Sequence, residues 1–388
     1  MKPVLTDDET RAVHAWLARH EEDVVADIAD YVGRESPSDD PGALAECLRW
    51  LENWLDERLG TPDERRSHPR DGAGDISVRR YRGGTGSPVL LLAHYDTVWP
   101  LGTLAERPFR RDGDVLTGPG VFDMKTGLVQ AVWALRALDA LDLPTPGFTL
   151  LLNGDEETGS TASSDVITDE ARRSRAVLCF EASADGAIKT ARKGVGLFTL
   201  TVTGEEAHAG LDPTSGCSAV HEMAHQVLRC RDLADLDAGT SVNIGVVHGG
   251  TRANVTAGRA VAELDVRVAT AAEQQRVSDG LAALAPAHPK ARVEVGGGWN
   301  RPVFERTDGV AELFALARDC AAPLGVDLRE AAVGGASDGN FAQAAGADVL
   351  DGIGAVGGGA HARTEHATVS GALERAAVAA AVLAALAD

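Results

Sequence analysis

No apolar run in the chain is long enough to span a bilayer. The N-terminus, Met1-Lys-Pro-Val-Leu-Thr-Asp-Asp-Glu-Thr10, has no apolar signal segment. C-x-x-C pairs are missing as well. The five cysteines, Cys47, Cys179, Cys217, Cys230 and Cys320, are odd in number and widely spaced, which suits reduced thiols in a cytoplasm. Positive charge is scarce: 37 Lys and Arg stand against 58 Asp and Glu, a net charge of -21. Such a surface argues against nucleic acid and anionic membranes as partners. There is no internal repeat. What remains is a chain of 388 residues, expected to be cytoplasmic, with 44% hydrophobic content, enough for two domains with proper cores.

The first informative stretch is Pro88-Val-Leu-Leu-Leu-Ala93, an apolar run that reads as a buried strand. It ends in His94-Tyr-Asp96-Thr-Val98, placing His94 and Asp96 on one face at the strand's carboxyl end. Ligands of open α/β sheets gather at that edge. A neutral imidazole suits a metal, and a carboxylate behind it fixes its tautomer. Further acidic or histidine-bearing turns follow. They are Gly118-Pro-Gly-Val-Phe-Asp-Met-Lys-Thr-Gly127, Asn153-Gly-Asp-Glu-Glu-Thr-Gly159, Phe180-Glu181 and Gly357-Gly-Gly-Ala-His-Ala-Arg-Thr-Glu365.

Together these motifs resemble the dinuclear zinc peptidase family of glutamate carboxypeptidase, aminoacylase-1, acetylornithine deacetylase and succinyl-diaminopimelate desuccinylase. The wording around His94 and Asp123 looks most like the glutamate carboxypeptidase branch. The resemblance implies that Asp123 bridges two metals, with His94 and Glu181 completing one site and Glu157 and His361 the other. Two histidines with carboxylates suit two Zn²⁺ ions, with Co²⁺ or Mn²⁺ as substitutes. His361 is preferred over His366 because it follows the glycine-rich stretch and has a glutamate four positions on. By the same resemblance Glu156 is the general base and the peptide bond after Asp123 is cis. Adjacent residues of an extended segment point in opposite directions, so Glu156 and Glu157 can divide the roles.

The order of predicted elements implies a fold. Predicted helices span Thr6 to about Tyr31, opened by the capping-box pattern Thr6-Asp-Asp-Glu9, and Ala43–Leu59. Strands and helices then alternate to Phe180, indicating a mostly parallel sheet with helices on both faces. From 193 the order becomes β-α-β-β-α-β, which suits an inserted split-βαβ, ferredoxin-like domain. The expected organisation is a catalytic domain of residues 1–192 and 299–388 and an inserted lid and dimerisation domain of 193–298, with Gly296-Gly-Gly298 as a hinge. In the inserted domain, family matching makes His208 an oxyanion-stabilising residue that acts across a two-fold interface, and Asn254 and Arg267 substrate-binding residues.

The expected activity is hydrolysis of an amide bond in a small N-acyl amino acid or short peptide with a free carboxylate, by a homodimer. Two rivals are an acetylornithine deacetylase-like deacylase and a catalytically inactive scaffold. Glutamate preference is not implied, because Trp299-Asn-Arg301-Pro302 carries one arginine where carboxypeptidase relatives have an extra basic residue. A third rival rests on His221-Glu-Met-Ala-His225, which matches the zincin helix signature H-E-x-x-H. Its helix is expected to bury Val220, Met223, Ala224, Val227 and Leu228, leaving two ordinary histidines at a surface or interface. The loop holding Ser337 and Asp338 has no His-paired serine motif and is expected to line the substrate.

Overall fold

The computed structural model describes residues 4–83 and 86–387. The chain divides into two compact units. The first comprises residues up to Ala191, Arg306–Val333 and Ser337 onward. The second comprises Arg192–Glu305 and Gly334–Ala336.

The first unit is built on an eight-stranded sheet. Its spatial order is Glu64–His68, Gly74–Tyr81, Phe148–Gly154, Val89–His94, Ala176–Cys179, Val349–Asp351, Ile188–Arg192 and Glu330–Val333. The centre is parallel: Val89–His94 pairs with Phe148–Gly154 on one side and Ala176–Cys179 on the other. Every residue of Val89–His94 and Phe148–Gly154 is buried, as expected of strands covered on both faces. Helices Thr126–Ala140 and Val369–Ala385 pack on each other. Both are buried along most of their length, so neither shows an amphipathic stripe. A smaller antiparallel sheet joins Gly357–Gly358, His366–Thr368, Val115–Thr117 and Arg110–Asp112.

The long N-terminal helix expected to run to Tyr31 is two helices, Asp7–Arg19 and Glu21–Val32. The break is at His20, whose backbone leaves helical geometry (φ -108, ψ 18). The capping box at Thr6 and Glu9 is present in both directions. The next helix, Pro41–Leu59, starts at an Asp40 cap with proline in its first turn.

The second unit has the order β-α-β-β-α-β, with an antiparallel sheet Ser241–Gly249, Arg259–Val268, Gly194–Thr203 and Arg292–Arg301. Its core is formed by Leu200, Val202, Met223, Cys230, Leu264, Val266, Val277 and Leu281. Two expectations are corrected here. Gly296–Gly298 is not a hinge: it lies inside the last strand, paired with Leu197–Thr199, because a backbone ladder needs no side chains. The helix Ala219–Arg231 buries Ala219, Glu222, Met223, Gln226 and Cys230, so of the expected stripe only Met223 is fully buried, with Val227 half-buried against the core. Val220 and Leu228 are 42% and 49% exposed, and Ala224 is exposed too. All five cysteines are free and buried. No helix among the described residues is long and apolar enough to cross a membrane.

Candidate metal centre and active site

The carboxyl ends of three adjacent parallel strands converge at one edge of the large sheet. Val89–His94 ends in His94, Ala176–Cys179 leads within two residues to Glu181, and Phe148–Gly154 leads to Glu156 and Glu157. Asp123 enters from the turn Val121–Lys125, just before helix Thr126–Ala140, and the Asp123–Met124 peptide bond is cis. His361 follows the glycine-rich stretch and adopts a left-handed backbone (φ 59). For a non-glycine residue this costs about 1–2 kcal/mol and must be held by its surroundings.

Asp123 stands between the two histidines. Its Oδ1 lies 3.2 Å from His94 Nε2, and its Oδ2 lies 3.4 Å from His361 Nε2. His94 Nε2 is also 3.4 Å from Glu181 Oε1, and His361 Nε2 is 3.0 Å from Glu157 Oε2. One carboxylate thus presents an oxygen to each of two His–Glu pairs. Donor atoms of His94, Asp123 and Glu157 lie within 4.8 Å of one another, as do those of His94, Glu156 and Glu181.

The electrostatics fit a cation site. Burial raises the cost of the Asp123 charge, yet His361 and His94 together hold its carboxyl well below the usual range. Burial opposes protonation of His94, but Asp123, Asp96 and Glu181 outweigh it and hold the imidazolium well above its ordinary pKa. Hydrogen bonds to Asp123 and Glu157 push His361 up to about 10. Glu157 Oε1 is buried with no hydrogen-bond partner, an acceptor left open for a ligand. Nitrogen and oxygen donors of this kind suit zinc-like divalent ions.

Two carboxylates hold the ligands from behind. Asp96 Oδ1 is 3.3 Å from His94 Nδ1, whose ring nitrogen is also 3.1 Å from the Asp96 carbonyl oxygen. An Nδ1–H donor there leaves the Nε2 lone pair for a metal. Asp96 also accepts from the backbone N–H groups of Glu156 (3.2 Å) and Glu157 (3.1 Å), and from Ser38 Oγ (2.7 Å). The second carboxylate is Glu365, which sequence reasoning used only as a motif marker. It is fully buried and accepts four hydrogen bonds, from Trp99 Nε1, Gly120 N, Phe122 N and Asp123 N. The turn that carries Asp123 is therefore tied to the segment that carries His361.

Glu156 and Glu157 diverge, though for a reason other than strand alternation. They occupy the tight turn Glu156–Thr158, and their side chains fan out around it. His366 lies on the small sheet, paired opposite Thr117, with Nδ1 3.0 Å from Thr364 O. Ser337 and Asp338 are buried, so within the loop expected to line the substrate these two side chains are turned inward while Gly334 and Gly335 are exposed. Ser337 Oγ donates to Asp351, and Asp338 accepts from Asn153 Nδ2 and Ser160 Oγ.

The second unit carries His208, Asn254 and Arg267. His208 is exposed, and its loop pairs with the segment after Asn254, where Ala209 N donates to Asn254 O. His208 Nδ1 accepts from Gly210 N (3.2 Å) and Leu211 N (3.1 Å), which places the ring proton on Nε2. Asn254 is exposed. Arg267 is paired through Nε and Nη2 with Asp265, at 2.7 and 2.8 Å. The zincin reading fails on Glu222. Zincin chemistry needs that glutamate as an accessible base. Here it is buried and accepts from Ala287 N, His288 N and Gln226 Nε2.

A family model, Peptidase family M20/M25/M40, matches residues 90–387. Carboxypeptidase G2 of Pseudomonas sp. (strain RS-16) is 30% identical over 357 residues, covering 89% of this chain and 85% of that one. Succinyl-diaminopimelate desuccinylase of Dechloromonas aromatica (strain RCB) is 28% identical, covering 70% and 76%. Among solved structures, the aminopeptidase PepT from Bacillus cereus ATCC 10987 superposes with a TM-score of 0.75 at 20% identity, over 94% of this chain and 98% of that one. The M20 family metallo-carboxypeptidase Sso-CP2 from Sulfolobus solfataricus gives 0.70 at 15% identity, over 93% and 98%. At these identities the structures speak for the fold alone.

Proposed function

The chain belongs to peptidase family M20/M25/M40 and is a metal-dependent hydrolase of amide bonds, and we propose that it releases an amino acid with a free carboxylate from a small N-acyl amino acid or short peptide. The observation that carries the reading is Asp123, with one oxygen toward His94 and the other toward His361. That is the arrangement a bridging carboxylate needs. His94, Asp123 and Glu181 would hold one Zn²⁺, and Asp123, Glu157 and His361 the other. Bound there, the ions supply Lewis-acid activation of water and of the scissile carbonyl.

The chain's own residues do the rest. Glu156 lies beside His94 and Glu181, and its backbone is fixed by Asp96. It takes the proton from the attacking water and delivers it to the leaving amine, so the base of the first step is the acid of the second. His208, with its proton on Nε2, is the donor for the developing oxyanion. Arg267 uses its Nε–Nη2 edge on Asp265, so a substrate carboxylate would meet the Nη1–Nη2 edge. Asn254 is a second substrate contact.

A cytoplasmic homodimer through the second unit completes the reading. Its support is the outward apolar stripe of helix Ala219–Arg231 beside the edge strand Ser241–Gly249. Val220, Leu228 and Val247 are exposed there around an apolar cleft of about 580 Å³. An unpaired strand edge with an apolar flank is a two-fold pairing surface. Each subunit would then lend His208 to its partner.

The test is a panel of acetyl, succinyl and benzoyl amino acids and dipeptides, with free amine as the readout. Glu156→Gln should lower turnover by at least about 10²-fold with metal content unchanged. Hydrolysis confined to N-acetyl substrates would favour the deacylase alternative. Absence of both metal and hydrolysis would favour a scaffold.

A further inference from the structure

We infer that Asp338, acting through Ser160 and Asn153, is a positioning residue for the general-base turn. The inference rests on Glu156 being the base. Its chemistry begins with the backbone around that base. Glu156 sits on a turn between the buried strand Phe148–Gly154 and the helix Ser164–Arg172. The turn is tied internally, with Thr158 N, Thr158 Oγ and Ser160 N donating to Asp155 O and Gly159 N to Glu156 O, so what remains to be set is how its two flanks are held.

Both flanks end on one carboxylate. On the incoming side, Asn153 Nδ2 donates to Asp338 Oδ2 at 2.7 Å. Asn153 is in register with His94 on the neighbouring strand, and its carbonyl accepts from Tyr95 N at 2.9 Å. On the outgoing side, Ser160 Oγ donates to Asp338 Oδ1. Asn153, Ser160 and Asp338 are all buried, at 0%, 0% and 2% exposure.

Ser160 is the point where the restraint acts. Gly159 and Ser160 are successive left-handed residues, with φ 99 and φ 53. Glycine adopts that conformation freely, but serine does so only when its surroundings compel it. Its carbonyl accepts from Ser163 N and Ser164 N, and two further contacts hold it from the turn side. The backbone N–H of Ser160 donates to Asp155 O at 2.8 Å, and its hydroxyl reaches Asp338. Without the hydroxyl bond Ser160 can relax, and the outgoing flank loses its link to Asp338 while keeping only its local bonds to Asp155 and the following helix. Asp96 still holds the Glu156 and Glu157 N–H groups, so the ligand Glu157 keeps its place better than the base, whose carboxylate must meet a moving proton.

Asp338 itself is held from the sheet. Its neighbour Ser337 donates Oγ to Asp351 Oδ2 at 2.5 Å, on the strand Val349–Asp351, and Ser337 N donates to Asn340 Oδ1 at 2.9 Å. The clamp is therefore anchored in a rigid element, as precise positioning of a base requires.

The experiment compares Ser160→Ala, Asp338→Ala and Asp338→Asn with the unmodified enzyme, on the best substrate of the N-acyl amino acid panel. Turnover, KM, metal content and melting temperature are read for each. A misplaced base lowers kcat by about 10- to 10²-fold and leaves KM and bound metal unchanged. Asp338→Asn should restore most of the turnover. Its amide oxygen can accept from Asn153, and its amide nitrogen can donate to Ser160 Oγ. Should Asp338→Ala fail to fold, Ser160→Ala decides the matter, since it deletes a single hydroxyl. A purely structural role would lower the melting temperature while kcat per metal-loaded molecule stayed at the original value, and that result overturns the inference. If Glu156→Gln itself keeps near-normal turnover, it is the assignment of the base that fails instead.

Discussion

Glu365→Gln is the sharpest probe of how Asp123, the proposed bridging ligand, is held. The carboxylate accepts two hydrogen bonds on each oxygen. Trp99 Nε1 (2.7 Å) and Gly120 N (3.0 Å) reach Oε2, while Phe122 N (3.0 Å) and Asp123 N (3.1 Å) reach Oε1. Glutamine keeps the shape and one acceptor oxygen. Whichever way its amide turns, two donors then face an NH₂ group in a fully buried site. Hydrogen bonds to a charged group contribute about 1.5–3 kcal/mol each, so two lost bonds amount to about 3–6 kcal/mol. Part of this is offset, because burial raises the Glu365 carboxyl pKa and the neutral amide escapes that cost. A net loss of about 2–4 kcal/mol is expected, concentrated in the segment Val121–Lys125.

Asp123 is in that segment, so metal affinity should fall by about 10- to 100-fold, the usual effect of losing an outer support. Competition titration with a chromogenic chelator reads the affinity, and differential scanning calorimetry of the metal-free protein reads the stability. Unchanged metal affinity in a folded Glu365→Gln protein would refute the view that this carboxylate aims Asp123.

Three further outcomes follow from the same geometry. Asp123→Ala should lose at least one metal, and full occupancy by elemental analysis would sink the bridging assignment. The double variant His221→Ala/His225→Ala should keep its metal content, because Glu222 is committed to the 287–288 loop; loss of metal would revive the zincin reading. Glu273 is held down to about 2, first by its hydrogen bonds with Arg276 and then by Thr240. A depressed carboxylate pKa contributes stability above the unfolded value of 4.5, and that contribution is lost as pH falls through about 2. An NMR titration of Glu273 with a midpoint above 4 would remove it.

The proposed metal ligands stood out because each lies in a short motif at a strand end or glycine turn. The strands were legible where both faces are buried, as at Val89–His94. Contacts made across long separations were not. Glu365 meets Gly120 from 245 positions away, and its partners are backbone N–H groups that carry no residue signature. The same holds for the helix Ala219–Arg231. Its apolar residues suggested one buried face, but Glu222 and Gln226 turn inward because the 285–288 loop supplies partners for them. Periodicity assumes that polar residues seek water, and it fails where the fold brings them donors instead.

Six carboxylates around the candidate site divide into two kinds. Asp123, Glu157 and Glu181 face the histidine nitrogens and can take a cation. Asp96, Glu365 and Asp338 instead collect N–H and O–H donors from the segments that carry the first kind. A carboxylate that accepts several donors is held rigidly, and charge-assisted bonds are about twice as strong as neutral ones. The division has a chemical consequence. Ligands on loops would shift when two cations enter or leave, whereas ligands anchored through a second layer keep their spacing. Asp96 shows the coupling most directly, since one carboxylate orients the His94 ring and fixes the backbone of Glu156. His94 and Glu156, the proposed metal ligand and proton carrier, therefore share a single support.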